Sequence, residues 1–119
     1  MTTEELLLFK GGGEGDMLLY QELIDERNNL EKRIGKANNK IQDIDDCLEV
    51  FDIHNNADIE HQLSILNSNP TPQNQSYVTK IEKCIADKKK FEQQKLLLTM
   101  RLNAVKSQIT NMQKVKGID

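Results

Sequence analysis

The sequence predicts an all-α protein: an antiparallel two-helix coiled-coil hairpin with a short helix in the connector, associating into a helical bundle. Two seams and one charge pattern lead there. Tyr77, Ile81, Cys84, Lys88, Phe91, Lys95, Leu98, Leu102, Val105, Ile109, Met112 and Lys116 follow alternating steps of four and three residues. That 3.5-residue period marks a helix burying a narrow stripe against another helix. Tyr20, Leu23, Arg27, Leu30, Ile34, Ala37, Ile41, Ile44, Leu48 and Phe51 form a second seam of the same kind. Residues 1–76 hold 6 Lys+Arg and 15 Asp+Glu, whereas residues 77–119 hold 10 and 4. The acidic half and the basic half can therefore attract each other.

Residues 1–16 read as a flexible lead-in. The apolar tetrad Leu6–Phe9 precedes Gly11, Gly12, Gly13 and Gly15, which read as a hinge. Asp16 is placed to cap the helix that follows, residues 17–52. Its acids sit early (Glu22, Asp25, Glu26), which suits the helix dipole. Gly35 and four asparagines weaken it, so tertiary packing must hold it together.

Residues 53–76 read as the connector. Ile59, Leu63 and Leu66 stand at helical spacing, which predicts a short helix over 57–67 with Asn56 as its cap. Residues 67–76 are rich in Asn, Ser and Pro and read as turn and loop. Ser76 then caps the second long helix, residues 77–116, which Gly117 ends as residues 117–119 trail off. Across roughly 40 residues at 1.5 Å each, that helix would be a rod of about 60 Å.

Two rods joined this way lie antiparallel, with the fold-back near residue 64. That register brings Asp43, Asp45, Asp46 and Glu49 near Lys80 and Lys83, and Glu22 and Asp25 near Arg101 and Lys106. It also sets Lys88, Lys89 and Lys90 against Lys36 and Lys40, an unfavourable match, and brings Cys47 near Cys84.

Composition excludes several functions. No apolar run is long enough to span a membrane, and the acidic start is not a signal peptide. Two cysteines do not make a disulfide framework, so the chain reads as reduced and intracellular, cytoplasmic or nuclear. A disulfide between Cys47 and Cys84 is geometrically conceivable but disfavoured in the cytosol. Aromatic residues are only 4% of the chain, too few for a typical pocket for a flat cofactor. No cofactor and no enzymatic constellation is expected. His54, Asp58 and His61 have metal-ligand spacing, but Asn55-Asn56 break the helix between them, so no metal is expected.

What remains is interaction. Met17, Leu18, Leu19 and Ile24 lie off the first seam, and Leu96, Leu97, Met100 and Val115 off the second. Apolar residues grouped outside a core point to a partner. Leu18, Leu19, Ile24, Leu97 and Met100 are the expected partner interface. The partner is a second copy, giving a dimer, or another helical protein, and the chain serves as a scaffold or adaptor. The alternative is a nucleic-acid accessory protein using Lys88, Lys89 and Lys90. Nucleic acid is the less favoured partner, because aromatic residues for base stacking hardly interleave with the lysines.

Overall fold

A computed structural model describes residues 14–115. Among them are three helices and no strand: α1 (Glu14–Glu49), α2 (Asn56–Ser68) and α3 (Pro72–Val115). The described residues divide into two compact units, residues 14–35 with 96–115, and residues 36–95. In both, a stretch of α1 packs against a stretch of α3 as in a hairpin.

In the unit formed by both ends of the chain, Tyr20 faces Gln113, whose side-chain amide donates to its hydroxyl at 3.0 Å. Farther along α1, Glu26 meets Arg101 at 2.8 Å. Numbers rise on one helix as they fall on the other, so the two run antiparallel. The core joins Tyr20, Leu23, Ile24 and Leu30 to Leu98, Leu102, Val105 and Ile109. All but Ile24 are seam positions.

Ile24 corrects the expectation of a narrow stripe. It is fully buried in this core rather than outside it. Tyr20, Leu23 and Ile24 stand at i, i+3 and i+4, which gives the broad apolar face of a globular helix rather than a strict seam.

In the unit of residues 36–95, Leu48, Ile53 and Ile81 form the buried core. Ile59, Leu63 and Leu66 of α2 pack against it, as do Ile44, Phe51, Cys84 and Ile85. A third helix explains why Ile85, off the seam, is also engaged: here α3 has two neighbours. The rings of Phe51 and Tyr77 meet edge to face at 5.5 Å between centroids, a favoured aromatic geometry. Ala37 is buried, as suits a seam position where backbones approach closely.

The helix ends depart from the sequence reading. α1 begins at Glu14, so Gly15 and Asp16 lie inside it and Asp16 is not its cap. Leu6–Phe9 and Gly11–Gly13 lie outside the described residues. α1 stops at Glu49, not at residue 52. Ile53 N–H donates to Leu48 C=O at 3.1 Å, and Asp52 N–H to Glu49 C=O at 2.9 Å. These two bonds are the Schellman pair, which requires a left-handed residue just past the helix. Asp52 supplies it, with φ 58°. The motif's apolar contact is Leu48 with Ile53, both in the core.

α2 is capped by Asn55, whose side chain accepts from Asp58 N–H at 2.9 Å. Asp58 answers by accepting from His54 N–H at 2.9 Å, so two main-chain donors are satisfied reciprocally. α3 starts at Pro72, five residues before the predicted start at Tyr77, and Thr71 rather than Ser76 is its cap. Its hydroxyl accepts from Asn74 N–H at 3.1 Å, and Pro72 takes the first helical position, where a missing N–H costs nothing. Residues 72–76 are therefore helix, not loop. Lys116 and the predicted stop at Gly117 lie outside the described residues.

Candidate protein-interaction surface

Among the described residues of the first unit, the exposed large apolar side chains are Leu18, Leu19, Leu96, Leu97 and Met100, each between 49% and 61% exposed. The α3 members form one group. Leu96 and Met100 stand at i, i+4 and Leu97 and Met100 at i, i+3, the spacings that make helix neighbours. Leu98 within this stretch and Leu102 just after it belong to the core, so the group occupies the side of the helix away from it. Leu18 and Leu19 are adjacent in sequence, near the start of α1.

These two groups do not merge into the single cluster the sequence suggested. Gln113 faces Tyr20, so Leu18 and Leu19 lie near the C-terminal part of α3. Met100 is more than three helical turns back along α3 from Gln113, about 20 Å at 1.5 Å per residue. Ile24 belongs to neither group, being buried. Val115's side chain lies outside the described set.

The charged pairs also differ from the expected register. Lys88 Nζ meets Asp45 Oδ1 at 2.6 Å instead of facing Lys36 and Lys40. Lys106 lies 3.9 Å from Glu31, beyond Glu22 and Asp25. Arg101 reaches Glu26, one residue past the expected Asp25. Exposed ion pairs stabilise by roughly 0–1 kcal/mol each, whereas burying one large aliphatic side chain stabilises by about 1.5–3 kcal/mol. The apolar seam therefore sets the register, and the charges take whichever partners it brings near.

That outcome weakens the basic face. Lys88 is half-buried and engaged with Asp45, while Lys89 and Lys90 are exposed. Lys88 and Lys89 also line an open groove of about 730 Å³ in residues 36–95, together with Asp45, Asp46, Glu49 and Glu92. Four carboxylates beside those lysines oppose a phosphate backbone rather than attract it.

Asp58 of the His54–Asp58–His61 spacing is committed to its helix cap, and both histidines are exposed. Among the described residues, no group of three His, Cys, Asp or Glu side chains is arranged to hold a metal ion. No helix among them is long and apolar enough to cross a membrane. Cys47 and Cys84 do meet, with Cys84 Sγ donating to Cys47 Sγ at 3.5 Å. Burial pushes the Cys84 thiol up from its ordinary pKa; the hydrogen bond and charge of Cys47 and the charge of Asp87 add to this, and Lys80 opposes it.

No protein-family model matches the chain, and neither curated proteins nor solved structures yield a significant match.

Proposed function

We propose that the chain is a non-enzymatic assembly subunit, a scaffold or adaptor that self-associates through the outer face of α3. The observation that supports this most directly is the exposed group Leu96, Leu97 and Met100, each about 60% exposed on the side of α3 opposite the core. Leaving such a group in water forgoes burial that an apposed helix would provide. In this reading the core seams hold the subunit together, and the outer group recruits a second copy into a helical bundle. The acidic and basic halves favour an antiparallel approach of the two copies.

The test is the solution mass of the wild-type chain and of a Leu97→Glu, Met100→Glu variant, measured by light scattering. The wild type is expected to be a dimer or larger, and the variant to lose mass while its helical circular dichroism is kept. An unchanged mass in the variant would remove this surface from consideration. A monomeric wild type would overturn self-association and leave a different helical protein as the partner.

A further inference from the structure

Cys47 and Cys84 come from facing stretches of α1 and α3 within residues 36–95. Both are free thiols and both are half-buried. A buried cysteine ordinarily serves as a small apolar residue, and Cys84 does pack beside Leu48, Ile53 and Ile81. That role does not require a second thiol in contact with the first, at 3.5 Å between sulfurs.

We propose that Cys47 and Cys84 are a reversible dithiol–disulfide pair, a redox clasp joining α1 to α3 across the connector, with a low-molecular-weight disulfide such as oxidised glutathione as its oxidant. A disulfide bond is about 2.05 Å long, so closure requires the sulfurs to approach by about 1.5 Å. Two side chains share that movement. Partial burial leaves an approach for a small oxidant, while the core on one side keeps the two thiols together. The closed ring would enclose the connector with all of α2.

The chemistry balances. One cysteine gives its proton to solvent and its thiolate attacks a sulfur of oxidised glutathione, expelling one glutathione thiolate. The second cysteine, likewise deprotonated, attacks the protein-side sulfur of that mixed disulfide and expels the other. The protein loses two electrons and two protons, and oxidised glutathione becomes two molecules of the reduced form. Because burial disfavours the Cys84 thiolate, the exchange is slower than at an activated thiol.

The full-length reduced chain is incubated with oxidised glutathione without oxygen, then followed by intact mass and free-thiol titration. The expected product is one chain lighter by two hydrogens, with no free thiol, no glutathione adduct and full reversal by a dithiol reductant. Its melting temperature should rise by at least about 5 °C, because a closed loop restricts the unfolded chain. The single variants Cys47→Ser and Cys84→Ser should each stop as a one-glutathione adduct. The proposal fails if the wild type keeps two free thiols under conditions that oxidise the urea-unfolded chain. It also fails if glutathione persists on the folded wild type, if the disulfide links two chains, or if closure lowers the melting temperature.

Discussion

Asp52 carries a left-handed backbone, with φ 58°, where nearly every helix of this type would use glycine. An L-residue there costs roughly 1–2 kcal/mol, less for Asp than for most. We expect Asp52→Gly to raise stability by about 0.5–1 kcal/mol and Asp52→Val to lower it by about 1–2 kcal/mol. Urea unfolding checks both, as shifts of the midpoint at constant slope. A lower midpoint for the glycine variant would show that Asp52 contributes something beyond its conformation. The residue was hard to see in the sequence because Phe51 continues the seam and so extends the helix on paper. Its legible trace is the pair Leu48 and Ile53, an apolar residue on either side of a type that tolerates this conformation. Ile24 escapes the periodicity for a related reason: the seam marks one row, and α1 buries two.

At the scale of elements, the long seams were readable and the caps were not. Every described seam position of α1 and α3 is buried or half-buried, the lysines included. A lysine suits such a position because its aliphatic stem can lie along apolar surface while its charged end stays at the rim, where Lys88 meets Asp45. The start of α3 was obscured by composition, since Asn, Gln and Ser over residues 73–76 favour turns in isolation. The Thr71-Pro72 pair outweighs them, one as acceptor and the other as a residue already shaped for a first turn. Thr71→Ala should therefore cost about 1 kcal/mol, and Ser76→Ala should change stability by less than about 0.5 kcal/mol. Thermal melts of the two variants distinguish the positions. Equal losses, or a greater loss at Ser76, would move the helix start back to where the sequence put it.

For the molecule as a whole, the antiparallel pairing of α1 with α3 followed from periodicity, and the contact of Cys47 with Cys84 followed from the fold-back. The individual ion pairs did not, because a fold-back near residue 64 fixes the register only to within a few residues, and pairs stabilising by roughly 0–1 kcal/mol each follow whatever register the seam sets. The exposed apolar group on α3 is half legible in the sequence. Leu97 and Met100 stand out once the seam is subtracted, but their separation from Leu18 and Leu19 depends on the register, which the fold-back near residue 64 gives only coarsely. The same subtraction gave Leu96, whose exposure completes the group on α3.

The two cores differ in a way that reaches beyond packing. Among the described residues, eight are buried in the core shared by Tyr20–Leu30 and Leu98–Ile109, whereas the core of residues 36–95 has three buried and seven partly buried. Fewer fully buried apolar side chains mean less apolar area held out of water and a smaller free energy of local opening. Backbone amides of Ile44–Leu48 and Ile81–Ile85 should trade hydrogen for deuterium sooner than those of Leu23–Leu30 and Leu98–Val105, by about tenfold or more for each 1.4 kcal/mol of difference. Mass spectrometry of deuterated peptides reads this directly, and equal uptake would mean that the chain opens as one cooperative body. If the order holds, the middle of the sequence is the part that breathes, and an event acting on it need not disturb the half that holds the termini.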